Sequence, residues 1–503
     1  MLSLILAATL AANTNAVLQH YEEHESEHLV PMLQEVIRFP THQHNEQAHL
    51  DQKEWLKKAA ADMKFVFRDA GKVTEIELPG PEGAPVLGLV IHGDVVDADP
   101  DPWSFPPFAG LVSEDGYVLG RGAADDKGPL IQALLAMKAL QESGIERTHT
   151  VRLLVGSEEE SAAGEMAEYL KDHKAPDYSL VLDSEFPVVV GEKAWDGLAL
   201  TVSLGTREGG LRRPYLVEWI DAGLAPSIVP ERAEVRLRSL DGNTDWTALE
   251  AELRAVKLPE GRRLAMQATG DALRVVVYGT AAHAGVNITG GRNALVGLAH
   301  VLEGKLTSGG IDDLLAFVRL AGQDLHGTGL GITDNDPVWG RYAVNIATVK
   351  PKKDDPTSVV LFINLRRIPP RTAAQAKAHL TDFVKRFNAR TGASLTVSDE
   401  LSYFEDEPLG FDPKAKLVRR LMNAYSVATG EKDPKPAISG GGTYAKRLPN
   451  AIAFGMWFPG KPYTGHDVDE KISIADLQKG ARVLIHALVD VATGKRLVEP
   501  FKP

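Results

Sequence analysis

Apolar segments typical of buried strands alternate with segments of helical periodicity between Val86 and Asp183. In order, the segments read VLGLVI, GPLIQALLAMKALQESG, TVRLLVG, GEMAEYLKDH and YSLVLD. This alternation is typical of a mostly parallel sheet covered by helices, because a connection between parallel strands usually contains a helix. We therefore expect an α/β domain whose functional site lies at the carboxyl ends of its strands.

A chain of 503 residues exceeds the size of one ordinary core, so two or more domains are expected. From about residue 194 to about residue 403 the segments become longer and more strand-like, as in LRVVVYG and SVVLFINLRR. The last part of the chain returns to the earlier alternation. We expect an α/β domain of residues 17–193 and 404–503, interrupted by an inserted α+β domain of residues 194–403.

The composition narrows the class of function. A formal net charge of -13 argues against a non-specific nucleic-acid binder, because phosphate binding needs a basic face. Hydrophobic residues at 44% and charged residues at 24% are typical of a soluble globular enzyme. Since the chain has no cysteine, a zinc ion would be held by histidine and carboxylate ligands.

The first residues, MLSLILAATLAANTNA, have the features of a signal peptide. Residues 2–12 are apolar, and Thr14 and Ala16 provide small residues for cleavage after Ala16. We expect residues 1–16 to be removed and the protein to be periplasmic or secreted. A buried N-terminal helix of a cytoplasmic protein is the alternative, because no Lys or Arg precedes the apolar stretch. No later segment reaches the roughly 18 apolar residues of a membrane span.

Polar side chains follow the predicted strands. His92 and Asp94 end one strand, where positions two apart face the same side. One can ligate a metal ion while the other orients it, since a ligating histidine usually donates its second ring N–H. Asp125 and Asp126 are adjacent in GRGAADDKG, where like charges are costly unless a cation lies between them. A helix cap with a surface aspartate is the alternative for this segment.

Three glutamates, Glu158, Glu159 and Glu160, directly follow the predicted strand TVRLLVG. A run of like charges is usually a solvated surface. Here the run follows a buried strand, where a carboxylate beside a metal ion can act as a base. Two zinc ions need several imidazole and carboxylate donors and share at least one carboxylate. The residues at the strand ends are donors of this kind, so the sequence favours a two-metal site.

Together, the segments HGDVVDAD, GRGAADDKG, SEEES, LDSEFPVVVGEK and PGKPYTGHDVDE resemble the motifs of one enzyme family. This is the di-zinc metallopeptidase family that includes aminoacylase, carnosinase and glutamate carboxypeptidase. The chain is most similar in type to the single-chain bacterial PepV-like, or Xaa-His, dipeptidases. The resemblance extends from about residue 25 to about residue 490.

The resemblance implies that the α/β domain is catalytic and binds two Zn²⁺ per chain, with Mn²⁺ or Co²⁺ as alternatives. By position it assigns as metal ligands His92, Asp125, Glu160, Asp183 and His466. Asp125 would bridge the two ions and would be joined to Asp126 by a cis peptide bond. Glu159 would be the general base, and Asp94 would orient His92.

The inserted domain resembles the family's lid. His283 in GTAAHAGVN matches the catalytic histidine that binds the scissile carbonyl, although a histidine at a strand-to-helix turn is the alternative for this segment alone. Arg366 in FINLRR matches the arginine that holds the substrate carboxylate in bidentate fashion. Gly441, Gly442 and Thr443 in SGGGTYA would line the same pocket as an anion nest.

The implied activity is hydrolysis of dipeptides that have a free C-terminal carboxylate. An N-acyl-amino-acid deacylase or a carboxypeptidase of the same family is the nearest alternative, and a non-catalytic zinc-binding or peptide-binding protein is the alternative of another class. Lys446 and Asn287 depart from the usual family residues and leave substrate preference open. The insertion, at about 210 residues, exceeds the roughly 100 of one small module, so we expect a pseudo-dimer within one chain and hence a monomer.

Overall fold

The computed structural model describes residues 2–161, 164–205, 215–242, 245–306 and 309–503, and the side chains from residue 8 onward. The chain forms two compact units. The first unit comprises Met1–Gly191, Gly410–Ile438 and Gly442–Pro503, and the second comprises Glu192–Leu409 and Ser439–Gly441. The catalytic and lid roles expected for the two parts of the chain stay predictions.

The elements are numbered in chain order. The α-helices are α1 Leu2–His20, α2 Leu29–Ile37, α3 Glu46–Asp62, α4 Lys127–Glu142, α5 Glu165–Asp172, α6 Thr247–Arg254, α7 Ala294–Leu302, α8 Gly309–Ala321, α9 Ala373–Thr391, α10 Lys416–Thr429 and α11 Ile474–Thr493. Shorter helical turns are Tyr21–Glu25, Ser26–His28, Ile288–Gly290, Thr328–Leu330 and Tyr444–Lys446. The strands of the first segment are β1 Val66–Ala70, β2 Val73–Leu78, β3 Val86–His92, β4 Leu111–Val112, β5 Tyr117–Leu119, β6 Thr150–Gly156, β7 Tyr178–Val181, β8 Ser184–Glu185 and β9 Val189–Glu192. The remaining strands are β10 Ala194–Ser203, β11 Tyr215–Ala222, β12 Arg232–Ser239, β13 Arg263–Thr269, β14 Ala272–Tyr278, β15 Asn335–Asp336, β16 Gly340–Arg341, β17 Ala343–Lys352, β18 Asp355–Arg367, β19 Thr396–Val397, β20 Leu409–Gly410, β21 Ala437–Ser439, β22 Ala451–Ala453, β23 Met456–Trp457 and β24 Lys471–Ser473.

The central sheet of the first unit has six strands in the order β1-β2-β6-β3-β7-β22. The pairs β6-β3, β3-β7 and β7-β22 are parallel, whereas β1-β2 and β2-β6 are antiparallel. The strand β3 lies between two parallel neighbours and is almost wholly buried, which explains its continuous apolar sequence. Three of the parallel strands, β3, β6 and β7, carry the polar residues at or just after their carboxyl ends.

Helix α4 forms much of the core of the first unit. It packs on β3 and β6 and against α11, which in turn contacts α1 and α10. Leu130, Leu134 and Met137 of α4 are fully buried, because this helix is covered on most of its circumference. The helix begins directly after Asp126, so its packing fixes the turn that contains the two adjacent aspartates.

The N-terminal helix α1 runs through the cleavage point expected after Ala16. The next residue, Val17, is fully buried in the core of the first unit, together with Tyr21. Part of the expected signal segment lies outside the described residues, namely Met1 and the side chains of residues 2–7. Among the helices in the described residues, none has both the length and the apolar character that crossing a bilayer requires.

The second unit contains an eight-stranded antiparallel sheet in the order β13-β14-β12-β11-β17-β18-β10-β19. Helices α7, α8 and α9 pack on this sheet. The sequence delimits α9 at both ends, since Thr372 and Gln375 form a capping box and Gly392 closes the helix with a φ of 73°. The predicted fold class, an α/β domain with a partly parallel sheet and an α+β insertion, is confirmed.

Candidate metal centre

The parallel pairing of β3 and β6 brings His92 close to the run of glutamates. His92, the last residue of β3, lies opposite Gly156, the last residue of β6. The backbone N–H of Gly93 donates to the carbonyl of Gly156 at 2.8 Å, which continues the pairing by one residue. Because the chain leaves both strands at the same edge of the sheet, the segment of residues 158–160 begins beside His92.

Asp94 connects His92 to the glutamates. Its carboxylate accepts hydrogen bonds from the backbone N–H groups of Glu159 at 3.2 Å and of Glu160 at 2.9 Å. The ring atom Nδ1 of His92 lies 3.0 Å from the backbone carbonyl oxygen of Asp94 and 3.6 Å from its Oδ1. Asp94 therefore orients the ring chiefly through its carbonyl, whereas its carboxylate holds the backbone of the glutamate segment.

The carboxylate of Asp125 lies between two imidazoles. Its Oδ1 is 2.9 Å from Nε2 of His92, and its Oδ2 is 3.2 Å from Nε2 of His466. The same Nε2 of His466 lies 2.7 Å from Oε1 of Glu160. A carboxylate with one oxygen toward each histidine has the arrangement of a ligand shared between two ions.

Two groups of side chains could each hold a metal ion. The ligand atoms of His92, Asp125 and Glu160 lie within 4.8 Å of one another, and so do those of His92, Asp126 and Asp183. Asp125 and Asp126 are joined by a cis peptide bond, as the resemblance implied. Asp126 was not among the predicted ligands. Its Oδ2 accepts from the backbone N–H of His92 at 3.3 Å, and its buried Oδ1 has no hydrogen-bond partner in the described part of the chain.

Negative charge is concentrated in the centre. Burial, together with Asp125 and Asp126, raises the pKa of Asp183 well above its usual value. Burial also raises the pKa of Glu159, to about 8. Burial would raise the pKa of Asp125 as well, but the two imidazoles hold it well below its usual range. Carboxyl groups outnumber imidazoles in this buried space, and bound cations would offset the excess negative charge.

The donor atoms fit a metal ion of a particular class. Imidazole together with carboxylate, without thiolate, suits Zn²⁺ and similar divalent transition ions rather than Ca²⁺ or Mg²⁺. The unpartnered Oδ1 of Asp126 and the excess of carboxylates are consistent with the same interpretation. The residues of the first unit therefore fit a site for divalent metal ions.

Three residues near this centre were not assigned from the sequence. The hydroxyl of Tyr463 donates to Oδ2 of Asp125. Glu470 accepts from the backbone N–H of Asp125 at 3.1 Å. The buried amine of Lys127 donates to two backbone carbonyls near the end of α2, at 2.6 and 3.0 Å. The only indication in the sequence that these residues lie near the site is their position, because each lies within four residues of a predicted ligand.

In the second unit, the loop that contains His283 and Gly285 approaches Gly440 and Arg366. A β-carbon at Gly285, two residues after His283, would stand 2.8 Å from the carbonyl oxygen of Gly440 and 3.2 Å from Cζ of Arg366. Nδ1 of His283 accepts from the backbone N–H of Val286 at 3.1 Å. The short distances between Gly285 and Gly440 explain why glycine occupies positions 285 and 440.

The loop SGGGTYA is divided between the two units. Gly441 belongs to the second unit and donates its N–H to Oγ of Ser439 at 3.0 Å. Gly442 and Thr443 belong to the first unit, where Oγ1 of Thr443 accepts from the N–H of Ala445 at 3.1 Å. The predicted role of the three residues in one pocket stays a prediction.

A partly parallel sheet whose strand ends carry His92 and a cluster of carboxyl groups, which His466 joins from a later loop, is typical of a metal-dependent hydrolase of mixed α/β fold. Residues 88–490 match Peptidase family M20/M25/M40, and the chain belongs to this family. The protein is thus a peptidase, and the resemblance inferred from the motifs is confirmed. Peptidases of this family depend on metal ions, in agreement with the donor groups around His92.

Named dipeptidases are similar to this protein over most of the chain. The chain is 27% identical to the putative dipeptidase YtjP of Bacillus subtilis (strain 168) over 413 residues, or 82% of this chain and 84% of the relative. It is 26% identical to the Beta-Ala-Xaa dipeptidase of Lactobacillus delbrueckii subsp. lactis over 412 residues, or 82% and 83% of the two chains. The crystal structure of human carnosine dipeptidase 1 shares the fold, with a TM-score of 0.59, 13% identity and coverage of 95% and 98%.

Proposed function

We propose that this peptidase is a dipeptidase that uses two Zn²⁺ ions to hydrolyse dipeptides with a free C-terminal carboxylate. The observation that carries the proposal is the position of Asp125, whose two carboxylate oxygens face His92 and His466 at 2.9 and 3.2 Å. The dipeptidases among the relatives support the choice of substrate.

We assign one ion to His92 and Asp183 and the other to Glu160 and His466, with Asp125 shared between them. When bound, the ions would supply Lewis acidity that activates a water molecule and polarises the scissile carbonyl. The proximity of Asp126 to His92 and Asp183 makes it a further ligand candidate for the first ion.

Glu159 is the proposed general base. Its backbone N–H donates to Asp94, which also holds the N–H of the ligand Glu160. One carboxylate thus fixes the base and a ligand together, which keeps the side chain of Glu159 at a constant place relative to the reacting water. Glu159 would accept a proton from this water and then transfer it to the leaving amine.

Arg366 is the proposed carboxylate clamp, and His283 is proposed to stabilise the oxygen of the scissile bond. Arg366 is 3% exposed, and burial lowers its pKa to about 10. In the described part of the chain it donates to the neutral oxygens of Asn364 at 3.1 Å and Ser227 at 3.3 Å. Both acceptors are neutral, and the negative charge of Asp406 acts on the guanidinium through space. We propose that the carboxylate of a substrate binds the guanidinium directly. We propose that Gly441, Gly442 and Thr443 contribute N–H groups to the same pocket.

A substrate panel tests the proposal. Protein freed of metal with a chelator and reloaded with Zn²⁺ is assayed with a dipeptide, its C-terminal amide, a tripeptide and an N-acetyl amino acid. We expect the dipeptide to be hydrolysed fastest, and we expect activity to return when two ions per chain have been added.

The other substrates distinguish the alternatives. Preference for the acetylated amino acid would identify a deacylase and preference for the tripeptide a carboxypeptidase, since both reactions use the same carboxylate clamp. Absence of any hydrolysis would contradict the proposal. Parallel reloading with Mn²⁺ and Co²⁺ identifies the most effective ion.

Export and a monomeric state are further parts of the proposal. Cleavage after Ala16 would leave Val17, within α1, as the first residue, and the mass of the protein recovered from cells tests this directly. Light scattering is expected to give the mass of one chain. An intact N-terminus would contradict export, and a stable dimer would contradict the monomer.

A further inference from the structure

We infer that Glu470 is a positioning residue that holds the Asp125 segment and the His466 segment in register for metal binding. The inference rests on the proposed two-ion function. Glu470 lies four positions after His466, and its side chain is fully buried. It lies far from Asp125 in the chain but contacts the backbone on which Asp125 is carried.

The carboxylate of Glu470 accepts four hydrogen bonds. Oε1 accepts from the backbone N–H groups of Ala124 at 2.9 Å and Asp125 at 3.1 Å. Oε2 accepts from the backbone N–H of Gly122 at 3.0 Å and from Nη1 of Arg121 at 2.8 Å. The backbone carbonyl of Glu470 accepts in addition from the N–H of Gly120 at 3.0 Å. One residue thus holds the whole turn that ends at Asp125.

A purely structural role would require only that the buried charge of Glu470 be compensated. Arg121 meets that requirement, since the residue is 3% exposed and its guanidinium carbon lies 5.1 Å from the ring centre of Trp103. The other three donors are backbone groups of one turn, and one of them belongs to Asp125 itself. A displacement of Glu470 would therefore move the carboxylate that faces both imidazoles.

The geometry requires two equivalent acceptor oxygens. Glutamine has the same shape as glutamate but only one side-chain oxygen, and its NH₂ group would face N–H donors in either orientation. If the NH₂ group replaces Oε1, it opposes the N–H groups of Ala124 and Asp125. If it replaces Oε2, it opposes Gly122 and Arg121. Glu470→Gln should therefore shift the turn without creating a cavity.

Metal titration tests the inference without relying on activity. Metal-free wild type is titrated with Zn²⁺ against a chromophoric chelator, and with Co²⁺ while the visible spectrum is recorded. We expect the wild type to bind two ions and Glu470→Gln to bind both of them about 10-fold to 100-fold more weakly, the usual range for residues that orient ligands, because Asp125 is the proposed shared ligand. The Co²⁺ spectrum of the variant should change, since the ligand geometry differs.

Glu77→Gln is the matched control. Glu77 is a buried carboxylate of the same unit that binds Arg68 at 3.0 Å and Arg152 at 2.9 Å. It lies in β2, and among the residues that the structure describes no hydrogen bond or ion pair joins it to the proposed ligands. This variant should lose thermal stability but keep the zinc affinity and the Co²⁺ spectrum of the wild type. If Glu470→Gln does not fold, Glu470→Asp carries the test, because aspartate keeps both oxygens but withdraws them by one methylene.

The outcomes distinguish the role of Glu470 from the proposed two-ion function. Wild type with two ions, and a folded Glu470 variant with unchanged affinities and spectrum, would overturn the inference alone. Weaker binding of the ions in the Glu470 variant, with the Glu77 control unchanged, would support it. A wild type that binds neither ion would overturn the proposed function and this inference together.

Discussion

The Nε2 atom of His466 lies 2.7 Å from Oε1 of Glu160, although 306 positions separate the two residues in the chain. His466 makes this contact from a left-handed backbone conformation, with a φ of 67°. Such a conformation is uncommon for a residue with a β-carbon and costs on the order of 1 to 3 kcal/mol. The fold therefore retains a strained residue where an imidazole meets two carboxylates.

Replacing Glu159 with alanine should lower kcat by about two to four powers of ten, because the variant lacks the group that moves the proton. The metal content should stay near two ions per chain, since Glu159 is not a proposed ligand. Steady-state kinetics and elemental analysis of the same sample measure both quantities. Glu158→Ala is the matched control, since Glu158 pairs with the exposed Lys72 and should be replaceable with little loss. Normal turnover in Glu159→Ala would contradict its role.

Replacing Asp94 with asparagine should lower zinc affinity about 10-fold to 100-fold, the usual range for a residue that orients ligands. The carboxylate of Asp94 accepts from the backbone N–H groups of both Glu159 and Glu160. Because an amide has only one acceptor oxygen, one of these two N–H groups would face the NH₂ group of the asparagine. Competition with a chromophoric chelator measures the affinity. Asp97→Asn, in the same loop but exposed, should behave as the wild type. Equal affinity in both variants would show that Asp94 has no positioning role.

Replacing Arg366 with lysine should lower kcat/KM for a dipeptide about 10-fold to 150-fold, since lysine keeps the charge but lacks the planar pair of donors. The corresponding dipeptide amide has no carboxylate for Arg366 to bind, so the variant should hydrolyse it as slowly as the wild type does. Kinetics with the two substrates measure the difference. Arg341→Lys, at a half-buried position of the same unit where the arginine pairs with Asp324, serves as the control. An equal loss for both substrates would argue against a carboxylate clamp.

Acid should destabilise the first unit partly through His149. This buried ring lies 2.6 Å from the hydroxyl of Tyr178 and 2.8 Å from Oγ1 of Thr148, and burial lowers its pKa below the usual 6.5. Because the folded state disfavours protonation, the contribution of His149 is fully present above pH 6.5 and is lost as the pH falls through its lowered pKa. Urea unfolding at pH 7.5 and pH 5.5 should show a larger loss in the wild type than in His149→Gln. Equal losses would contradict this assignment.

The strand-end residues could be predicted because parallel register is regular. Once β3 and β6 are recognised as neighbours, His92 and the glutamates after Gly156 have to meet at one edge of the sheet. Motif resemblance then added His466, which lies far along the chain and has no local signal of its own. The antiparallel pairing of β1, β2 and β6 was not predicted, because short amphipathic strands carry no indication of direction.

Contacts of single atoms across long separations could not be predicted. Tyr463 and Glu470 touch the Asp125 segment only after the chain has returned from the second unit. Nothing in the spacing of HDVDE indicates that its last residue binds four donors on a distant turn. The position of Asp126 beside Asp183 likewise depends on the direction of the chain after Asp125, which the residue types do not encode.

The division of the first unit into segments on either side of the second has a consequence for the newly made protein. During translation the acidic strand ends leave the ribosome early, whereas His466, the edge strand β22 and helix α11 emerge near the end of synthesis. A nascent chain that stops short of these elements lacks an imidazole of the proposed centre and the last parallel strand of its sheet. Under the proposed assignment, the nascent chain gains peptidase activity only when its synthesis is almost complete.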